Sequence, residues 1–549
     1  MQGEYMASMV SSMTNPFITL RDVSLTLPDG NPLFSGLNHT FDHTPTGLVG
    51  RNGVGKTLLA SILAGQLAPS EGQCLASGNV HYLAQQITSA QGISVAGLAG
   101  LASALQALSR IETGSCEPED FDLVGDGWDL PERFRFQLDQ FGLGDIPLHA
   151  PAEQLSGGQG MRAALAGAQL SDADFLILDE PSNHLDREGR ETLMSLLSQW
   201  QRGLIVISHD RELLETMTHT VELTSHGLKR YGGNYAFYAE ARTRETQNAQ
   251  QHLDQTRLAR QRAERTLRQQ QDRQAHRQAR GRQQARQGNQ AKVLLDKQKE
   301  RCEASHGALK RQQATIRDKH QKAVGTAAAA LKSDTSIYLH SDLLPSMKGG
   351  IAVQLNQLLL PFDCTSRQPI DLSVRQGQRV AVTGPNGCGK STLLKVMAGR
   401  QAARAGECLI PEHSRYLDQH LEYLNPQYTL LDQLKGANPV APEGQLRMLL
   451  AQLGLGEEKI RCRFTELSGG EKLKGTLACL LYAASPPSLL LLDEPGNHLD
   501  LASIKALESM LRQYRGTLIV VSHDRVFLNN LALSHHLTVT EKEWQLQPV

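Results

Sequence analysis

The chain carries the same series of six short motifs twice, in the same order. Asp179 and Asp493, one from each series, lie 314 residues apart, and so do His209 and His523. A repeat of this length is a duplicated domain, since the units of solenoid proteins span only about 20–50 residues. The first series is GRNGVGKT (50–57), YLAQ (82–85), LSGGQ (155–159), FLILDEP (175–181), NHLD (183–186) and ISHD (207–210). The second is GPNGCGKS (384–391), YLDQ (416–419), LSGGE (467–471), LLLLDEP (489–495), NHLD (497–500) and VSHD (521–524).

Each half alternates short apolar segments with helix-like stretches. The segments FLILD, GLIVIS, LLLLD and TLIVVS are continuous apolar runs that end in polar groups. Such runs are typical of strands buried on both faces of a parallel sheet, with functional side chains at their carboxyl ends. We therefore predict an α/β fold made of two tandem domains.

Charge is concentrated between the two halves. The whole chain of 549 residues has a net charge of −1, but residues 241–325 hold 21 Lys and Arg against 8 Asp and Glu. That segment therefore carries +13, which leaves −14 for the rest. A basic segment in an otherwise acidic chain indicates a specific anionic partner.

The basic segment is rich in Gln, Arg, Ala and Lys, which favour helix. Apolar or small side chains recur at every seventh residue, a seam suited to helix pairing: Leu295, Cys302, Leu309, Ile316 and Ala323. We predict a long basic α-helical hairpin (a coiled coil) of two antiparallel helices, each about 40 residues long. The turn is predicted at 282–287, between Gly281 and Gly288, with Arg280, Arg282 and Arg286 near the tip. A flexible charged linker is the alternative.

Membrane and secreted proteins fit this sequence poorly. It has no apolar run of the roughly 18–20 residues that span a bilayer, and its first residues show no basic and apolar signal regions. The eight cysteines show no zinc-site spacing, so free thiols are expected. We predict a cytoplasmic protein without membrane contact.

Both glycine-rich segments fit the phosphate-loop pattern GxxxxGK[ST]. Each follows an apolar strand and precedes a helical pattern, so backbone N–H groups and the helix dipole can face an anion. Lys56 and Lys390 are predicted to reach phosphates, and Thr57 and Ser391 to bind Mg²⁺. The predicted loops are Gly50, Arg51, Asn52, Gly53, Val54, Gly55, Lys56 and Thr57, then Gly384, Pro385, Asn386, Gly387, Cys388, Gly389, Lys390 and Ser391.

An Asp-Glu pair ends one strand of each half. Asp179 and Asp493 suit Mg²⁺, while Glu180 and Glu494 can deprotonate an attacking water. A helix N-cap is the alternative interpretation of the pair, and the histidines at fixed spacing on the next strand disfavour it. LSGGQ and LSGGE offer a hydroxyl and bare N–H groups to an anion, although each could also be an ordinary N-cap.

Taken together, these motifs resemble the ATP-binding-cassette family. EPSNHLD and EPGNHLD resemble its ABC-F subfamily of translation factors, and so do YGGNYAFYAEAR (231–242) and GNQAKVLLDKQKER around the spacer. The resemblance implies a flexible leader at 1–13, cassettes at 14–240 and 346–549, and a basic helical linker at 241–345. It also implies ATP and Mg²⁺ as cofactors, a monomer with paired cassettes, and a ribosome or ribosomal RNA as partner of the linker.

The resemblance further implies that each ATP lies between the phosphate loop of one half and the LSGG motif of the other. The expected catalytic residues are Glu180, Glu494, His209 and His523. The expected magnesium ligands are Thr57, Gln85, Asp179, Ser391, Gln419 and Asp493. The signature residues are Ser468, Gly469, Gly470 and Glu471 for the first site, and Ser156, Gly157, Gly158 and Gln159 for the second. Asp186 and Asp500 would communicate between the sites.

Some residues depart from the family pattern. Gly496 replaces a threonine or serine, and Leu27 and Pro28 stand where an aromatic often stacks on adenine, while Phe362 is a candidate in the second half. The first half has 22 more residues than the second between the YLxQ glutamine and the LSGG serine, which predicts a short arm. Translation control and antibiotic protection of the ribosome remain open alternatives. So do a transporter's ATPase subunit and a DNA-maintenance ATPase.

Overall fold

The computed structural model describes residues 16–84, 92–155, 157–171, 173–183, 185–287, 311, 313–328, 350–362, 368–418, 424–497, 499–540 and 543–549. It divides into two compact units. One unit contains both repeated halves, and the other spans Ala239–Thr335. Every helix among the described residues is too short or too polar to cross a bilayer.

The first half is built on two sheets. Its strands are β1 (Ile18–Thr26), β2 (Pro32–Phe41), β3 (Thr46–Gly50), β4 (Glu71–Ala76), β5 (Val80–Leu83), β6 (Phe175–Asp179), β7 (Gly203–Ile207), β8 (His219–Thr224) and β9 (Gly227–Tyr231). The central sheet has the order β5-β6-β7-β3-β8-β9 and is parallel except for β9. Strands β2-β1-β4 form an antiparallel sheet.

The second half repeats this topology. Its strands are β10 (Ile351–Leu359), β11 (Ile370–Arg375), β12 (Arg379–Thr383), β13 (Ala405–Leu409), β14 (Ser414–Leu417), β15 (Leu489–Asp493), β16 (Thr517–Val521), β17 (His535–Val539) and β18 (Trp544–Pro548). The orders β14-β15-β16-β12-β17-β18 and β11-β10-β13 match those of the first half. The predicted pair of tandem α/β domains is confirmed.

Helices surround the sheets. The first half has α1 (Lys56–Leu63), α2 (Val95–Leu98), α3 (Ala102–Glu112), α4 (Pro118–Val124), α5 (Leu130–Gln140), α6 (Gly157–Leu170), α7 (Arg187–Gln199) and α8 (Arg211–Glu215), followed by α9 (Tyr235–Gln287). The second half has α10 (Lys390–Met397), α11 (Leu430–Ala437), α12 (Glu443–Gln452), α13 (Glu457–Arg461), α14 (Gly469–Leu481), α15 (Leu501–Gln513) and α16 (Arg525–Asn530). Strands β6, β7, β15 and β16 are buried along their whole length, as their continuous apolar runs predict.

The basic segment begins as one long helix. Helix α9 runs for 53 residues, so the predicted length of about 40 residues is too short. The turn predicted at 282–287 is wrong, because these residues continue α9. A glycine inside a helix costs only about 1 kcal/mol, and the Arg, Gln and Ala residues around Gly281 favour helix. The return is helical over 313–328, and the Gln271 side chain donates a hydrogen bond to that of Gln313 (3.1 Å).

The packed face of the helical unit is narrow. Leu253, Leu267 and Ala327 are buried, and Ile316 and Ala323 of the predicted seam are half-buried. Leu295, Cys302 and Leu309 lie outside the described residues. Pairing over the whole seam therefore stays a prediction.

An ion pair joins the two halves through a buried contact. Arg211 on α8 reaches Glu508 on α15 at 2.8 Å, and their side chains are 5% and 9% exposed. The contact between Arg525 and Glu191 also crosses the halves, but it measures 4.0 Å and its side chains are about half exposed. Burial raises the pKa of Glu508 even though Arg211 lowers it. For the Glu508 carboxylate, the cost of desolvation therefore outweighs the attraction of Arg211.

We expect Glu508→Ala to destabilise the protein by about 3–5 kcal/mol, because it leaves the Arg211 guanidinium buried without its carboxylate. Replacing both residues by Met should recover most of that loss. The matched control is Glu191→Ala, which should cost no more than about 1 kcal/mol because its ion pair is exposed. Thermal unfolding, monitored by circular dichroism, measures the stability of all three variants. Equal midpoints for the two alanine variants would contradict the buried pair's role.

Candidate nucleotide-binding and catalytic site

The sheet order places the predicted site residues at one edge of each half. In the first half, β3 leads into the phosphate loop, β6 ends at Asp179, and β7 leads to His209. These strands are adjacent and parallel, in the order β6-β7-β3. Their carboxyl ends therefore meet at one edge, where ligands bind in open α/β sheets. Strands β15, β16 and β12 repeat the arrangement in the second half.

The phosphate loops have the backbone that anion binding requires. Gly53 and Gly55 have φ of 78° and 98°, and Gly387 and Gly389 have 75° and 101°, values that side chains with a Cβ rarely adopt. A Cβ on Gly55 would also approach Leu33 Cδ2 to 2.5 Å. The backbone conformation therefore favours glycine here, and a larger residue would also displace the Leu33 side chain.

Each loop lysine lies within its own loop. Lys56 Nζ donates to the carbonyl oxygens of Gly50 (2.9 Å) and Arg51 (3.1 Å). Lys390 Nζ donates to those of Gly384 (2.8 Å) and Pro385 (2.7 Å). Both lysines are buried. An ammonium group beside inward N–H groups at a helix N-terminus suits a polyphosphate.

The two glutamates share an unusual backbone. Glu180 and Glu494 have φ of 52° and 47°, a left-handed conformation that is uncommon for residues other than glycine. Their N–H groups donate to Ile207 (2.8 Å) and Val521 (3.0 Å) on the neighbouring strands, which anchors the strained residues. Strain of this kind clusters at functional sites. Its occurrence at both glutamates fits the catalytic role predicted for their side chains.

Each glutamate side chain faces a histidine. Glu180 Oε1 lies 3.5 Å from His209 Nε2, and Glu494 Oε1 lies 3.6 Å from His523 Nε2. Both Oε1 atoms are buried, and neither has a hydrogen-bond partner within the described chain. A buried acceptor of this kind can receive a proton or a hydrogen bond from a water. This geometry fits the predicted general base.

Burial sets the protonation of these groups. It raises the pKa of Glu180 to about 8, and raises that of Glu494 to about 7 together with repulsion from Asp493. Burial lowers the pKa of His209 to about 3 and that of His523 to about 4. Near neutral pH the histidines are therefore neutral, and the glutamates lie close to their titration ranges, as general bases require.

The residues predicted to hold Mg²⁺ are adjacent. Ser391 Oγ donates to Asp493 Oδ1 (2.9 Å). In the first half, Thr57 is hydrogen bonded to Asp179. Burial raises the pKa of Asp179, and this hydrogen bond lowers it in part. Asp179 Oδ2 is buried without a hydrogen-bond partner among the described residues. Hydroxyl and carboxylate oxygens are the ligands that Mg²⁺ prefers. Gln85 and Gln419 lie outside the described residues, so their role stays a prediction.

Sequence reasoning missed two tyrosines. Tyr416 donates its hydroxyl to Asp493 Oδ2 (3.1 Å), and Tyr82 is hydrogen bonded to Asp179. The signal was available, because both tyrosines open the repeated YLxQ motif. These bonds hold the orientation of the carboxylates that are expected to meet the metal.

One cavity of about 480 Å³ joins the site of the first half to the second half. Its lining includes Lys56, Glu180 and His209 from the first half, together with Glu494, Gly496 and Leu499 from the second. Leu27 and Leu33 also line it, whereas Phe362 is 79% exposed. The Asn52 N–H donates to Asp500 Oδ2 (3.2 Å). The aspartate that follows the second NHL thus touches the phosphate loop of the first half.

Relatives of this chain cover nearly all of it. The family model described as ABC transporter matches residues 39–183 and 367–497. The ABC transporter F family member 5 of Arabidopsis thaliana is 30% identical, over 88% of this chain and 69% of that one. The protein named probable ATP-binding protein YheS of Haemophilus influenzae is 31% identical, over 90% of this chain and 75% of that one. The chain belongs to the ABC-F subfamily of ATP-binding-cassette proteins.

Solved structures share the fold of this ABC-F protein. The archaeal ribosome recycling factor aABCE1, solved in complex with the ribosomal stalk protein aP1, superposes with a TM-score of 0.55 at 17% identity. The superposition covers 96% of this chain and 89% of the aABCE1 chain. The RNase-L inhibitor superposes with a TM-score of 0.54 at 17% identity. At this identity the likeness shows the fold alone, which is a pair of tandem cassettes.

The structure describes the two LSGG signature motifs of the ABC-F protein less completely than the phosphate loops. Among the described residues, Ser468, Gly469 and Gly470 do not line the cavity. Ser468 caps α14 in a capping box with Glu471, the ordinary structural role that LSGG can also fill. Gly157, Gly158 and Gln159 begin α6, and Ser156 lies outside the described residues. The signature contact with ATP therefore stays a prediction.

We expect the free ABC-F protein to release one to two more protons between about pH 6 and pH 9 than its Glu180→Gln, Glu494→Gln variant. The reason is the raised pKa of both carboxyls, about 8 and about 7, which keeps them protonated at the acid end of this range and ionised at the alkaline end. Potentiometric titration of the two proteins measures the difference.

The control replaces the exposed Glu407 and Glu412 by Gln, and it should follow the unmodified protein. If the catalytic and control variants give the same titration curve, the two glutamates are ionised throughout this range and burial does not hold their protons.

Proposed function

We propose that this ABC-F protein hydrolyses two ATP molecules between its cassettes and acts on the ribosome through its basic helical unit, in translation control or antibiotic protection. One observation carries the hydrolytic part. Both halves hold a glutamate in the left-handed conformation, with a buried oxygen that has no hydrogen-bond partner among the residues described, next to a neutral histidine and a phosphate-loop lysine. A cytoplasmic location and a monomer with an intramolecular cassette pair belong to the same proposal.

The chemistry follows from these side chains. Glu180 or Glu494 accepts a proton from the attacking water, and the neighbouring histidine holds the water or the γ-phosphate in place. Lys56 or Lys390 balances the phosphate charge, and the hydroxyl–aspartate pairs would hold Mg²⁺, which neutralises developing charge when bound. The signature serine and glycines of the opposite half would then close each site.

The described surface of α9 supports an RNA partner. Arg262, Arg265, Arg273, His276 and Arg280 are exposed, and their spacing keeps them on one face at 3.6 residues per turn. The buried Leu253 and Leu267 lie on the opposite face. A helix that packs on one side and carries a stripe of arginines on the other presents a regular row of charge to a phosphate backbone.

For hydrolysis, we expect the double variant Glu180→Gln, Glu494→Gln to keep ATP binding while turnover falls by at least about 10²-fold, the usual contribution of a positioned base. The variant should remain closed around ATP. Phosphate release and binding of a fluorescent ATP analogue measure the two effects. Turnover near that of the unmodified protein would remove these glutamates from the reaction. The Glu407→Gln, Glu412→Gln control should retain full activity.

For the partner, we expect the trapped variant to sediment with ribosomes, with an affinity that falls steeply with salt. Changing Arg262, Arg265 and Arg273 to Gln should weaken binding and reduce the salt slope by about 0.7–0.9 for each phosphate that the protein no longer neutralises. In the protein with both glutamates intact, the same three changes should leave basal ATPase activity nearly constant. The charge-matched control changes the exposed Arg133, Arg135 and Arg461 of the cassettes to Gln.

Sedimentation with duplex DNA and with lipid vesicles separates the alternative partners. Preferential binding to DNA would favour a DNA-maintenance ATPase, and binding to vesicles would favour a membrane-associated role. Equal loss of ribosome binding in the stripe and control variants would mean that net charge, rather than the α9 stripe, directs binding.

A further inference from the structure

The two halves differ at one position next to the catalytic groups. Asp186 and Asp500 cap α7 and α15 in the same way, by accepting from the N–H groups of Gly189 (3.0 Å) and Ser503 (2.8 Å). Four residues after each aspartate, the first half has Arg190 and the second half has Ile504. The duplication therefore places a cation on one side and an aliphatic side chain on the other.

Arg190 is held firmly in place. Its side chain is 17% exposed, and its Nη1 atom lies 2.8 Å from Asp210 Oδ2. Its Nε atom donates to the Leu185 carbonyl (3.4 Å). A guanidinium fixed by a carboxylate and a carbonyl keeps a defined direction for its remaining N–H groups.

The cavity brings Arg190 to groups of the second half. Arg190, Glu494, Ser522 and Asp524 all line it, and so does Ile504. The Arg190 charge also interacts with Glu494 and His523, as does that of Lys390 from the second phosphate loop. At Glu180 the corresponding loop cation is Lys56, so Arg190 is a cation that the second site has in addition to its loop lysine.

We propose that Arg190 is a positioning residue for the second ATP site, supplied from the first half, and that the two sites are inequivalent because Ile504 holds the equivalent place. This inference rests on the proposed ATP hydrolysis. A fixed cation beside Glu494 and His523 favours the phosphate charge and the negative charge that develops during hydrolysis. The Ile504 side chain carries no charge, so it cannot make the same contribution to the first site.

A purely local role for Arg190 predicts the opposite pattern. Asp210 follows His209 directly and caps α8 through the N–H groups of Glu212 and Leu213. If Arg190 served only to hold Asp210, its loss would disturb His209 and therefore the first site. The two roles are separated by asking which site fails.

The experiment uses single-site backgrounds of the full-length protein. Glu180→Gln leaves the second site active, and Glu494→Gln leaves the first. We expect Arg190→Ile to lower kcat/KM for ATP by at least about tenfold in the Glu180→Gln background, since a preorganised charge contributes on this scale or above. In the Glu494→Gln background the change should stay within about twofold. Arg190→Lys, which keeps the charge, should recover part of the loss.

Loss confined to the first site, equal loss at both sites, or no loss at either site would overturn the proposal. Site-resolved photolabelling with 8-azido-ATP provides a readout that needs no turnover. At subsaturating nucleotide, Arg190→Ile should weaken labelling of the second phosphate loop and leave the first unchanged. If the unmodified protein hydrolyses no ATP, the proposed function fails, and labelling alone then decides on Arg190: unchanged labelling refutes its role.

Discussion

The site depends on a constraint of parallel sheets, which is that polar groups can emerge only where buried strands end. Strands β6, β7, β15 and β16 are covered on both faces, so their interiors must be apolar. Asp179 ends such a strand and Glu180 and His209 follow such ends, and the adjacent order β6-β7-β3 brings all three to the phosphate loop. The same burial that stabilises the sheet desolvates the glutamates and raises their pKa.

The glutamates show how this constraint becomes chemistry. A carboxylate at the end of a buried strand loses solvation, and the left-handed backbone at Glu180 and Glu494 turns it toward the cavity. The phosphate-loop lysine of each half lowers the pKa of its glutamate, but by less than burial raises it. The result is a proton acceptor with a raised pKa beside a histidine that remains neutral.

Duplication gives each half the same set of predicted catalytic residues but not the same surroundings. The contact of Arg211 with Glu508 is buried, whereas that of Arg525 with Glu191 is about half exposed. Arg190 faces the cavity on one side, and Ile504 takes the equivalent position on the other. The interface between the halves is therefore chemically asymmetric although the sheet topologies are identical.

Local sequence patterns were sufficient to predict the duplication, the α/β class, the phosphate loops and the strand-end carboxylates, because each depends on a short motif that repeats. They failed at the position of the hairpin turn, because Gly281 suggested a turn there and the helix propensity around it prevailed. They also assigned no role to Tyr82, Tyr416 or Arg190. Those roles arise only in the folded chain, because hydrogen bonds to Asp179 and Asp493 and a cation beside Glu494 join segments far apart in sequence. Such contacts depend on which strands become neighbours and how the two halves meet, and no local sequence period records either.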